Sequence, residues 1–167
     1  MAISSDKQRA DSQKTLVGFV VGAVAYAVPI DAVREVVNPL ELTALPHAAP
    51  AVAGVADHRG EVVPIVDLRR RFGLAERSEL GRSKWILVDV GGRTVGLAVD
   101  AVTEVFGTSG EGLRPPPSLG AGDERRGIIG VTTHDERLTF VLDVARFESL
   151  VAPLDEAGLL RAVAVGD

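Results

Sequence analysis

Three histidines, His47, His58 and His134, and no cysteine are what this chain offers to metal or nucleophilic chemistry. No two of them stand at a helical i, i+4 step, and a histidine metal site needs at least two converging ligands with hydrogen bonds behind them. The spacing therefore points to no metal. A serine nucleophile needs a poised base and an oxyanion hole, and the sequence has no G-x-S-x-G elbow. The glycines of "GAGDERRG" at 120–127 lack the G-x-G-x-x-G spacing, and Asp123 and Glu124 would repel a phosphate. Aromatic residues make up 4%, too few for base-stacking platforms, and a formal charge of −5 disfavours a phosphate-backbone binder. No catalytic residue and no cofactor is expected.

Two other residues are conspicuous. Glu35 lies in an apolar stretch with Val33, Val36 and Val37, and Arg59 falls in a tight turn between Asp57 and Gly60. If the two segments neighbour each other, Glu35 pairs with Arg59 and fixes that turn; the alternative is two solvated surface charges. Arg69, Arg70 and Arg71 read as a solvated helix face. A different class of reading, a small-molecule-binding barrel or an enzyme using His58, Asp57 and Asp67, requires a deep pocket with convergent polar groups.

The elements that position these residues are mostly strands. "KTLVGFVVGAVAYAVPI" alternates with period two around Gly22, which predicts a hairpin. "DAVREVV" is a helical turn passing into a strand, and "LPHAAP" is an irregular connector. "AGVADHRGEVVPIVDL" is strand, turn and strand, with Pro64 expected at an edge or bulge. A short helix and a surface loop follow. "WILVDVGGRTVGLAV" is a hairpin about Gly91-Gly92, and "GTSGEGLRPPPSLGAGDE" is a long loop. A last strand pair flanks His134 to Glu136, a helix follows Asp143, and Asp155 is placed to cap a terminal helix. The polar segment over residues 1–13 reads as a flexible arm, and residues 150–167 as a tail. No apolar run reaches the roughly 18–20 residues that a membrane span requires. The absence of cysteine fits a reducing, cytoplasmic setting.

The chain also repeats itself. "IDAVREVV" at 30–37 matches "VDAVTEVF" at 99–106 with an offset of 69, and five residues from Asp31 to Val36 are identical. "GVADHRGEVVPIVDLRRRF" from Gly54 matches "GVTTHDERLTFVLDVARF" from Gly130 with an offset of 76. The repeats cover about 14–72 and 84–147. A sheet of about five strands cannot bury both faces alone, so two such units must share a core about a pseudo-twofold axis.

At these residues the chain resembles the CheW-like family of adaptors in bacterial chemotaxis-type signalling. "GVADHRGEVVPIVDL" is similar to the family's G-V-x-N-x-R-G-x-V-x-P-V-V-D-L signature, and "DAVREVV" and "GLAVDAVTEVF" match further segments in the expected order, over about 14–149. Asp57 stands where the family usually has asparagine, which puts the bonding of that turn in question. The resemblance implies two five-stranded, SH3-like β-barrel subdomains with a hydrophobic core between them. It implies a non-enzymatic cytoplasmic scaffold with two partners, the hairpin tip of chemoreceptors and the regulatory domain of a CheA-type histidine kinase. It further implies that Glu35 and Arg59 form the family's acidic–arginine pair beside a receptor groove lined by Val33 and Val102. Val36, Val105, Asp57 and Gly60 would be its neighbours. For the kinase-facing surface only the turns around Gly22 and Gly91 suggest themselves.

Overall fold

The computed structural model describes residues 15–75, 83–108, 112–118 and 127–154. The N-terminal arm, the glycines at 120 and 122 and the tail from Asp155 lie outside them. The strands are β1 (Thr15–Val21), β2 (Val24–Pro29), β3 (Val33–Val37), β4 (Val52–His58), β5 (Glu61–Asp67), β6 (Lys84–Val90), β7 (Arg93–Val99), β8 (Ala101–Gly107), β9 (Ile128–His134) and β10 (Arg137–Leu142). Two four-residue helices, α1 (Leu68–Arg71) and α2 (Glu148–Val151), and two 3₁₀ turns, Ile30–Ala32 and Val144–Phe147, complete the described elements.

The strands form two five-stranded sheets ordered β8-β1-β2-β10-β9 and β3-β6-β7-β5-β4. Each sheet mixes the two repeats: the first hairpin, β1–β2, sits among strands of the second repeat, and the second hairpin, β6–β7, among strands of the first. The joins are parallel, β2 with β10 and β5 with β7. The registers obey the duplication: Val141 faces Ala27 in one sheet and Ile65 faces Gly96 in the other. Even the irregularity repeats, because β1 slips against β8 between Val17 and Phe19 while β3 slips against β6 between Val33 and Glu35.

Period-two alternation then builds three cores. Phe19, Val21 and Val28 of one sheet meet Ile86, Val88 and Leu97 of the other in a shared core between the lobes. The opposite faces fill the barrels: Ile65, Trp85 and Leu87 inside one, Leu16, Ala27 and Val141 inside the other. Each fully buried valine, leucine, isoleucine or phenylalanine among them contributes about 1.5–3 kcal/mol.

The connectors from β3 to β4 and from β8 to β9 cross the edges of β4 and β9. Thr43 exchanges two backbone hydrogen bonds with Val55, at 2.8 and 2.9 Å, and Arg114 does the same with Val131 at 2.8 and 2.9 Å. This is why both copies of the repeated segment begin with glycine. A Cβ on Gly54, whose φ is +150°, would lie 2.5 Å from the Thr43 carbonyl oxygen, and one on Gly130 would lie 3.1 Å from that of Arg114.

Two expectations need correction. Pro64 lies in β5, an internal strand between β7 and β4. It faces Val55, whose own N–H turns away to Thr43, so the proline nitrogen points toward β7, and pairing with β7 starts only at Ile65. Arg69 is not a solvated charge. Its Nε donates to Asp100 Oδ1 at 2.9 Å in a pair whose side chains are 23% and 13% exposed, and Asp100 Oδ2 accepts from the Gly22 N–H at 2.7 Å. The contact ties α1 to both the β1–β2 turn and the end of β7.

Gly54→Ala should lower the unfolding free energy by about 1–3 kcal/mol, and by more than Gly130→Ala, because its Cβ would come closer to backbone, 2.5 Å against 3.1 Å, at a φ of +150° that side chains rarely adopt. Urea titration of both variants checks the order. Asp100→Ala removes the carboxylate from Arg69, which keeps its bond to the Ala75 carbonyl, and leaves the Gly22 N–H without its acceptor; it should cost about 1–3 kcal/mol in the same assay.

Candidate functional site

Glu35 is placed by β3 at one edge of its sheet, and His58 and Arg59 by the end of β4 at the other edge. The sheet curls until the edges meet at side-chain range. Glu35 Oε2 lies 3.0 Å from His58 Nε2, and Glu35 Oε1 accepts from Arg59 Nη2 at 3.0 Å. The predicted Glu35–Arg59 pair is therefore formed, but the Arg59 side chain is 76% exposed. Exposed pairs contribute only ~0.2–1 kcal/mol. The better-shielded contact is with His58, 16% exposed, so the histidine is the partner that fastens β3 to β4.

The turn between β4 and β5 presents Arg59 in the left-handed region, φ 54°, followed by Gly60 at φ 84°. Two successive positive φ values match the twist of a two-residue hairpin turn. Asp57 Oδ1 accepts from the Gly60 N–H at 2.9 Å. An acceptor is all this turn requires, and the Asp57 carboxylate supplies it.

Of the four valines, Val33 and Val102 are partly buried against the shared core, which anchors β3 and β8 on the same interior. Val36 and Val105 occupy matching places three residues further along and are 41% and 57% exposed. They are the exposed large apolar side chains of these two edge strands. Of the turns at Gly22 and Gly91, the first is fixed by Asp100 and packed by Leu74 and the second abuts Glu148.

The second barrel repeats the closure. Glu104 on β8 lies 2.6 Å from His134 at the end of β9, and the imidazole stacks on Phe106 with ring centroids 3.8 Å apart. The two Glu–His pairs stand at matching positions of the repeats, so the role of His58 is one the duplication itself carries.

His58, Asp57 and Asp67 are each engaged in local structure. Asp67 Oδ1 accepts from the Arg69 N–H at 2.9 Å and caps α1, as Asp143 caps the turn after β10 by accepting from the Ala145 N–H at 3.0 Å. A cavity of about 390 Å³ between the β3–β4 connector and the barrel is lined by Leu40, Leu42, Ile65, Trp85, Asp67 and Arg69, among others. Neither His58 nor Asp57 reaches it, so the three residues do not converge on one pocket. No described helix is long and apolar enough to cross a membrane.

The chain matches the CheW-like domain over residues 15–150. It is 33% identical over 138 residues to the chemotaxis protein CheW of Rhizobium meliloti, covering 83% of this chain and 89% of that protein. It is 31% identical over 131 residues to a probable chemotaxis protein CheW of Rhizobium etli, covering 78% and 84%. Its fold matches the crystal structure of the scaffolding protein TtCheW from Thermoanaerobacter tengcongensis with a TM-score of 0.71 and 30% identity, over 78% of this chain and 88% of that one. With two five-stranded sheets, a duplicated signature and these relatives in agreement, the chain belongs to the CheW-like family.

Proposed function

We propose that this chain is a non-enzymatic scaffold of a chemotaxis-type signalling array, coupling chemoreceptors to a CheA-type histidine kinase. It acts in the cytoplasm and reaches the membrane through its receptor partners. The observation that supports this best is the pair of exposed valines, Val36 and Val105, at equivalent places on the edge strands β3 and β8. Val33 and Val102, behind them on the same strands, are anchored on the shared core, and the Glu35–Arg59 pair supplies charge on β3. Such anatomy suits a specific but exchangeable protein contact. Asp57 and Gly60 belong to the same site by setting the turn that presents Arg59. The family relation to CheW proteins of chemotaxis supports the choice of partners.

The site acts by geometry. The receptor tip, a helical hairpin, lays apolar side chains against the valines, and Arg59, held by Glu35, gives the contact its charge register. The kinase's regulatory domain docks elsewhere on the scaffold. The rigid shared core keeps the two partners at fixed separation, so a change in receptor packing is passed on as a change in kinase position.

Arg59→Glu sets two carboxylates together at Glu35. It should weaken binding of a receptor cytoplasmic fragment at least tenfold, or about 1.4 kcal/mol, while co-elution with a kinase regulatory domain persists and the melting temperature is unchanged. Receptor binding at full strength would refute the assignment. Val105→Asp should act in the same direction through desolvation of the new charge. It is a cleaner test than Val102→Asp, since Val102 also packs on the core. Titration of a labelled receptor fragment measures both.

A further inference from the structure

The two barrels are closed by the same Glu–His pair, but the residue after the histidine differs in sign. In one barrel it is Arg59, whose guanidinium lies 3.0 Å from Glu35. In the other it is Asp135, whose carboxylate lies 3.5 Å from His134 Nε2. The backbone is alike at both positions, with φ 54° at Arg59 and 50° at Asp135, so both side chains leave equivalent turns. Where one barrel holds a cation against its glutamate, its sister holds a second anion.

Oxygen atoms of Glu104 and Asp135 and a ring nitrogen of His134 all lie within 4.8 Å of one another. Among the described residues, no lysine or arginine lies within ion-pair distance of Glu104 or Asp135. Arg137 lines the adjoining cavity but donates to the Ala23 carbonyl at 2.8 Å. Phe106 stacks on the imidazole at an interplanar angle of 11°, fixing the ring so that Nε2 is presented to the carboxylates. Val37 occupies the corresponding place in the sister barrel. There is also room. Gly18 and Thr103 stand where the sister barrel has Leu87 and Arg34, and a cavity of about 210 Å³ opens beside the cluster.

We infer that Glu104, His134 and Asp135 bind a divalent transition-metal cation of the zinc class, at the place corresponding to the Arg59 guanidinium of the sister barrel. One imidazole nitrogen and two carboxylate oxygens suit zinc, with water completing the shell. The imidazole disfavours magnesium and calcium, which take oxygen ligands. The bound ion fastens β8 to the β9–β10 turn, as Arg59 and His58 fasten β4 to β3. Sequence spacing hid the site because Glu104 and His134 are 30 residues apart.

The test is calorimetric titration of the tag-free full chain with zinc chloride. One equivalent should bind, and affinity should fall at least tenfold in His134→Ala and in Asp135→Arg, the latter placing arginine in a turn whose sister already holds one. His58→Ala and His47→Ala should bind as the parent does. Arg59→Asp, which gives the first barrel the same three ligand types, should add a second equivalent. No zinc uptake by the parent, or uptake that survives both His134→Ala and Asp135→Arg, overturns the inference. So does loss of binding in His58→Ala or His47→Ala, and failure of Arg59→Asp to add a site overturns the role assigned to the sign of that residue. Thermal melting of each variant separates lost binding from lost fold.

Discussion

A two-stranded hairpin cannot bury both its faces, and each half of this chain meets that constraint by lending its hairpin to the other half. The parallel joins of β2 to β10 and β5 to β7 are the outcome. They put strands of both repeats into each barrel and turn odd-numbered side chains such as Phe19 and Val21 toward the middle of the molecule. Everything that positions the site depends on these joins. They leave β3 and β8 as outer strands, and those strands rest on the shared core through Val33 and Val102 before exposing Val36 and Val105.

Outer strands bring their own difficulty, since unpaired backbone groups invite pairing with other chains. The fold handles each barrel alike. A connector crosses the far edge, with Thr43 on Val55 and Arg114 on Val131, and a glutamate–histidine contact draws the two edges together. Neither contact is a strong term in stability. Their effect is on shape, because they set how each barrel closes and which side chains stay exposed at its edges.

Much of this was legible in the residues. The duplication showed because "DAVREVV" and "DAVTEVF" share residues that the fold uses twice, and turn glycines marked the hairpins. Glu35 and Arg59 were legible as candidates for a pair, because a charge within a run of valines calls for a partner, but two solvated charges fitted the residues equally well. The exchange of hairpins was not, since period-two alternation tells which face a residue takes but not which strand lies beside it. Pro64 was misplaced for that reason: the rule that proline avoids interior ladders is right, but on an internal strand it can be satisfied by where pairing begins. Arg69 was misread because its partner, Asp100, is remote in sequence and is brought to it only by the packing of α1 on β7. Which valines are exposed was equally invisible, as it depends on how far each strand runs beyond the core.

The order of strands also has a meaning in time. All five strands of the β3-β6-β7-β5-β4 barrel lie between Val33 and Val99, whereas the other barrel takes β1 and β2 from before that span and β8, β9 and β10 from after it. A chain emerging from the ribosome holds a complete set for the first barrel while β1 and β2 still lack every partner but each other. The second barrel has its full set of strands only when the last hairpin is released. The hairpin that waits contributes Phe19 and Val21 to the shared core. The interface between the lobes is complete only once the residues after β10 are also made, because Phe147 and Val151 fill the same core, and a chain cut short before β10 is left with an open sheet edge in place of its second barrel.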